Sequence, residues 1–333
     1  MSELSAQLPA AKPKLQLARF RDLALVPAIL VLLVVGFIVS PIFLTAGNLL
    51  DVVQQQTELG LVVLAEALIL IAGRIDLSLE STVGFAPALA VALIVPASSH
   101  GLGVGLPEWT AIPLCLLIGA LIGLVNGALI LKLRLSGFVV TLGMLITIRG
   151  VQLGATGGQN LFDLPASVSY LGSATWLGLP ASVWITGLLF AVGIVVLGFF
   201  RQGRALYAIG GNSDAARAAG IRVDRVVWTV LVLGGVLAAL AGLLMAGRLG
   251  SVAAAQGQNM IFTTFAAAVI GGVSLNGGKG TLFGALCGVL MLGLVQNILT
   301  LAHVSPFWYG AINGGIILVA LMLSRLTTGK AQD

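Results

Sequence analysis

Charge is what this sequence has least of. Only 9% of its 333 residues are Asp, Glu, Lys or Arg, 17 basic and 12 acidic, where a water-soluble domain carries about a quarter. So few charges cannot cover a soluble globule of this length. Aromatic residues stand at 6%, too sparse for platforms on which nucleic-acid bases stack, and no nucleic-acid partner is expected. The two histidines, His100 and His303, lie far apart in short loops, and the two cysteines, Cys115 and Cys287, lie inside apolar runs. That distribution offers no metal cluster and no disulfide framework, and each cysteine reads as a small buried residue. A nucleotide-binding loop is missing as well, since Gly277-Gly278-Lys279-Gly280-Thr281 only echoes Gly-x-x-x-x-Gly-Lys-Ser/Thr. With no clustered nucleophile, base or metal set, covalent catalysis is not expected, nor is a cofactor bound by this chain.

Apolar residues and glycine are abundant instead. Hydrophobic residues make up 58% of the chain and glycine accounts for 44 positions, with a mean hydropathy of +1.09. Removing the need for water over most of the surface resolves the shortage of charge, so the outer face meets membrane lipid. Small residues let helix backbones approach closely where no hydrophobic effect drives them together. The expected fold is therefore all-α, a polytopic helical membrane protein built to pass something across a bilayer.

A spanning helix needs about 20 mostly apolar residues. On that criterion about ten transmembrane helices are expected, near 23–40, 49–72, 78–96, 110–131, 137–155, 181–200, 226–248, 259–275, 280–301 and 307–325. The first run follows Lys12, Lys14, Arg19 and Arg21, a layout shared with signal peptides. It is long and is followed by Ser40-Pro41-Ile42-Phe43, without a small-x-small cleavage site, so it reads as a retained helix. This divides the chain into an N-terminal tail 1–22, one transmembrane domain 23–325 and a C-terminal tail 326–333. With both termini in the cytoplasm, every basic residue but Arg149 and Arg248 falls on the cytoplasmic side, the bias that orients membrane proteins. Gly123-Leu124-Val125-Asn126 in the fourth span echoes Gly293-Leu294-Val295-Gln296 in the ninth. Five spans apart, such an echo fits a 5+5 inverted repeat.

Two stretches carry polar signals. The second span holds Asp51, Gln54, Gln55, Glu58 and Glu66, which at 100° per residue share a face about 120° wide. Ionisable groups inside a span usually face a cavity or a neighbouring helix. Gln54, Gln55 and Glu58 are candidate wall groups of a substrate path, because carboxylates and amides exchange hydrogen bonds readily with neutral hydroxyls. The alternative is that Glu58 and Glu66 pair with Arg149 or with backbone groups. Arg149, Gln152 and Thr156 form a thinner stripe on the fifth span; Arg149 and Gln152, with Asn126 of the fourth span, are further candidate groups of the substrate path, and Arg149 is equally suited to an ion pair. Asn126, Asn259 and Thr263 lie on glycine-rich helices, where hydrogen bonding between helices is the simpler account.

The second stretch is the inner loop 201–225. Gly210-Gly211 is expected to break the chain direction, Asn212 or Ser213 to cap a short helix with Asp214 in its first turn, and Gly220 to end it. Ala215, Ala216 and Ala219 would give that helix a smooth profile suited to a groove on another protein. By composition alone a surface helix stapling two spans is the plainer reading.

The string Gly210-Gly211-Asn212-x-x-Ala215-Ala216-Arg217-x-x-Gly220-Ile221 resembles the cytoplasmic coupling loop of permease subunits in ribose-type ABC sugar importers. Ile75-Asp76-Leu77-Ser78 is similar to that family's signature after the second span, and Gly271-Gly272-Val273-Ser274-Leu275-Asn276-Gly277-Gly278-Lys279-Gly280 to its glycine-rich segment. Three features depart from the pattern: Arg74 and Glu80 stand where glycines are usual, and Ala218-Ala219 replaces Leu-Ser. Arg74 and Glu80 are expected to pair with each other or with a neighbouring subunit. The resemblance implies a permease in a bacterial inner membrane, moving a monosaccharide or small polyol by alternating access. It implies a separate cytoplasmic ATPase that holds ATP and Mg²⁺, an extracytoplasmic sugar-binding protein, and a second permease subunit, identical or similar. A branched-chain amino-acid permease of the same superfamily and an ion-coupled secondary transporter are the alternatives.

Overall fold

The computed structural model describes residues 25–312 together with 314, 315 and 318. Its helices follow the apolar runs. Helix α1 (Leu25–Val39) is apolar all round. A turn through Phe43 leads to α2 (Ala46–Ile71), whose start is capped by the Thr45 hydroxyl accepting the Asn48 N–H. The next elements are α3 (Leu79–Ala92), α4 (Ala111–Gly127, continued by a π turn Ala128–Lys132) and α5 (Gly137–Thr156). The segment after α5 contains α6 (Ala166–Ser173) and a small hairpin of β1 (Thr175–Trp176) and β2 (Leu179–Pro180). Leu177 and Gly178 both take positive φ there, as a tight two-residue hairpin turn demands. Beyond it lie α7 (Ala181–Phe199), α8 (Arg201–Gly211), α9 (Ser213–Ala218), α10 (Val223–Leu249), α11 (Met260–Ile270) and α12 (Leu282–Leu301).

Among the described residues, five helical stretches are long and apolar enough to cross a membrane: Glu108–Lys132, α5, α7, α10 and α12. The third and eighth expected spans are shorter than anticipated, 14 residues in α3 and 11 in α11. Both begin where expected, and the missing length is at their C-terminal ends, after Ala92 and after Ile270. The tails and most of the tenth expected span lie outside the described residues.

Helix α10 is the hub, packed against α2, α3, α4 and α6. Glycine permits its closest crossings: a Cβ on Gly119 of α4 would overlap the Gly235 carbonyl of α10, and one on Gly123 the Leu231 carbonyl. Val227, Leu231, Ala238 and Leu244 of α10 join Leu61, Val62, Ala65 and Ile69 of α2 in the main core. A second cluster joins α3, α4 and α10 through Val91, Cys115 and Leu243. Both cysteines are buried, and His100 and His303 are exposed in loops.

Candidate functional site

The inner loop is more ordered than expected. Helix α8 runs through Gly210 and Gly211, and the chain turns at Asn212 instead. The helix forms because Gly203, Leu206 and Ile209, spaced three apart, bury one stripe while Arg201, Gln202, Arg204 and Ala208 stay exposed. Asn212 is extended, and its side-chain oxygen accepts the N–H groups of Asp214 and Ala215 at 3.0 and 2.9 Å, so the expected cap is present. Gly220, with φ of 83°, follows the end of α9. Arg217 in the last turn pairs with Asp224 of α10 at 3.0 Å, and that carboxylate holds the guanidinium above its ordinary value. Ala216 does not contribute to an outer face: it is buried in the main core, because α9 leans on α10. The exposed face of α9 is formed by Asp214, Ala215, Arg217 and Ala218, continued by Ala219 and Gly220.

The inner loop and the glycine-rich segment, far apart in the chain, meet at the end of α2, just ahead of the Ile75–Ser78 motif. The Gly278 N–H donates to the Ile71 carbonyl at 2.9 Å, and the Tyr207 hydroxyl donates to the Gly280 carbonyl at 2.8 Å. Gly210 packs directly on the end of α2 and on the turn at Gly277 and Gly278. The Ile75–Ser78 motif has its own task. Asp76 Oδ1 accepts from the Ser78 N–H at 2.9 Å and from its hydroxyl at 2.6 Å, forming the turn that starts α3. Asn126 Nδ2 reaches across from α4 to Asp76 Oδ2 at 3.1 Å and to Ser78 Oγ at 2.8 Å. Asn126 is fully buried there, the helix-bridging role that was the simpler expectation.

The polar stripe on α2 divides along its length. Asp51 and Gln55 are exposed, Gln54 is half-buried, and Glu58 and Glu66 are buried. Glu58 does not pair with Arg149: Oε1 accepts from Nε of Arg248 on α10 at 2.7 Å. Arg149 pairs with Glu80 at 3.5 Å and donates to the Gln256 carbonyl at 2.8 Å, so Glu80 is partnered by a helix of the same chain and not by Arg74. The other Glu80 oxygen accepts the Ile261 N–H at the start of α11 at 3.2 Å. Gln152 donates to the Ala254 carbonyl, and Gln256 to the carbonyls of Val83 and Gly242. Arg149, Gln152, Glu80 and Gln256 therefore pin the irregular segment before α11. Glu66 Oε1 accepts the Asp76 N–H at 3.4 Å. Arg248, Gln256 and Tyr207 carried no local signal, since their partners lie 190, 173 and 73 positions away. Among the described residues no group of three or more His, Cys, Asp or Glu could hold a metal ion.

The family model described as the permease component of branched-chain amino acid transport systems matches residues 48–321. The chain is 34% identical over 302 residues to the ribose import permease protein RbsC of Escherichia coli (strain K12), covering 90% of this chain and 92% of the relative. It is 33% identical over 305 residues to the L-arabinose ABC transporter permease protein AraH of Azospirillum brasilense, with 90% and 86% covered. It is 35% identical over 311 residues to the autoinducer 2 import system permease protein LsrC of an Enterobacter species (strain 638), with 92% and 87% covered. No solved structure matches it.

Proposed function

Since the chain belongs to the permease-component family of branched-chain amino acid transport systems, we propose that it is the membrane-spanning subunit of an ABC importer for a sugar or similar small polyol. Similarity over nearly the whole chain to permeases named for ribose and L-arabinose carries this reading over the amino-acid alternative. The permease performs no covalent chemistry. It contributes two states, open to opposite sides, whose different affinities for its partners let a separate ATPase drive the exchange.

In this reading ATP and Mg²⁺ sit on a soluble ATPase that docks on the exposed face of α9. A binding protein delivers substrate from outside, and a second permease subunit completes the path. Two observations favour the docking surface: α9 is held in one orientation by the Asn212 cap and the Arg217–Asp224 pair, and its exposed side chains other than Arg217 are short. The exposed amide of Gln55 and the half-buried amide of Gln54 are the groups offered to a sugar, whereas Glu58, Asn126, Arg149 and Gln152 hold helices together.

Ten spans with both termini in the cytoplasm of a bacterial inner membrane remain the topology that the charge distribution supports. A 5+5 inverted repeat gains support from paired features. Short α3 and short α11 each follow a long helix ended by a left-handed glycine, Gly73 and Gly250. Gly123 of α4 lies against α10, and Gly293 of α12 lies against Gln56 of α2.

The test is uptake of radiolabelled D-ribose, L-arabinose and L-leucine into proteoliposomes holding the chain, with and without its ATPase and binding protein. ATP-dependent sugar uptake is the expected result. Uptake of leucine alone would move the substrate to the amino-acid branch. Sugar uptake by the chain alone on an ion gradient would sink the ABC reading.

A further inference from the structure

Where α8 gives way to α9, three segments touch through backbone alone. A Cβ on Gly210 would overlap the Ile71 carbonyl oxygen and the Gly278 amide. One on Gly277 would lie 2.7 Å from the Gly73 Cα, and one on Gly278 would lie 2.7 Å from the Gly211 amide. The Gly278–Ile71 hydrogen bond and the Tyr207–Gly280 hydrogen bond close the junction on two sides. A contact made of main chain has no rotamer with which to absorb a displacement, and packed interiors transmit strain. An ångström of movement in α8 and α9 must therefore shift the end of α2 and the α11–α12 turn together. Further along, α2 carries Gln54 and Gln55, and the α11–α12 turn leads into the helix that packs against α2.

Within this junction Gly210 and Gly211 form a natural contrast. Both are in the last turn of α8 and neither has a positive φ, so alanine strains neither backbone. A Cβ on Gly211 would meet nothing within 4 Å. The demand for glycine at 210 comes from contact alone.

We propose that Gly210 is a positioning residue that carries movement of α9 into α2 and the α11–α12 turn, so that closure of the ATPase reaches the polar stripe through this glycine junction. The proposal rests on the importer reading above. Its test is the reactivity of a Gln55→Cys probe toward a water-soluble maleimide, in the assembled complex, before and after the ATPase is trapped with ATP and vanadate. The native cysteines are buried, so the signal reports on position 55. With the native junction, trapping is expected to change the labelling rate about tenfold. With Gly211→Ala added the response persists within twofold. With Gly210→Ala the ATPase still co-purifies and traps nucleotide, yet the rate no longer responds.

A full response in the Gly210→Ala complex overturns the proposal. So does loss of the ATPase from a folded Gly210→Ala chain, which would make position 210 part of docking, and so does equal loss of response with Gly211→Ala. Should Gly210→Ala not fold, Tyr207→Phe removes the hydroxyl that donates to Gly280 without adding bulk. It is expected to cut the response at least twofold, and an unchanged response overturns the proposal. If the complex with the native junction holds no ATPase, the importer reading fails first, and the two failures are told apart by that control.

Discussion

Glu58 is nearly inaccessible, and its one charged partner among the described residues, Arg248, comes from another helix. A carboxylate in that position depends on its partner more than a surface pair would, because removing one member leaves an uncompensated buried charge. Arg248→Ala is expected to lower the stability of the detergent-solubilised protein by about 3 kcal/mol, read as a fall in the melting temperature. Glu58→Gln combined with Arg248→Met should recover most of that loss. If the double variant melts as low as the single one, the pair is not what Arg248 contributes. Glycine substitutions give a second contrast at this scale. Gly119→Ala forces a methyl into the Gly235 carbonyl, and such overpacking costs about 1–3 kcal/mol. Gly143→Ala or Gly150→Ala on α5, where a Cβ meets nothing within 4 Å, should leave the melting temperature unchanged.

Among the elements, α9 is the most dependent on a single residue. It has six residues, too few to hold itself together, and two of its first N–H groups are satisfied only by the Asn212 side chain. Asn212→Ala is expected to cost about 1 kcal/mol, spent locally, so the melting temperature of the whole protein moves little. ATPase recovered on a tagged, solubilised chain should nevertheless drop severalfold, while Asn212→Asp, which keeps the acceptor, restores it. Equal recovery with alanine would mean that α9 needs no cap to dock. Helix α8 was not expected ahead of the Gly210-Gly211 break. Its buried stripe of Gly203, Leu206 and Ile209 contains only two large apolar residues, and two glycines end it. The amphipathic signal is thin, and tertiary contact with the end of α2 supplies what propensity does not.

At the scale of the molecule, the proposed topology puts Arg201, Arg204, Arg217 and Lys279 on cytoplasmic segments, and Glu108 and the β1–β2 hairpin on outer ones. A cysteine at Leu177, the exposed hairpin tip, should react with an impermeant maleimide in intact cells. A cysteine at the exposed Ala218 should react only after the membrane is opened. The reverse pattern would invert the topology and place α9 on the wrong side for a cytoplasmic ATPase.

The helices α1, α2, α4, α5, α7, α10 and α12 were legible within a few residues, because apolar length is a local property. So was the Asn212 cap, since an N-cap needs only its own next three residues. The shortening of α3 and α11 was not legible. Both lie in apolar runs that continue past Ala92 and Ile270, where the helices stop; nor was it legible that Glu80, Gln152 and Gln256, distant in sequence, hold the irregular backbone before α11 in place. Partner choice was likewise beyond the sequence: Glu58 had two arginines available, and only the packing of α2 on α10 gives it Arg248. The burial of Ala216 followed from the lean of α9, and the glycine junction from three turns brought together at the end of α2. Composition determined that this chain is a helical membrane protein; the tertiary structure decided which buried polar groups satisfy one another, since that depends on proximity no local pattern encodes.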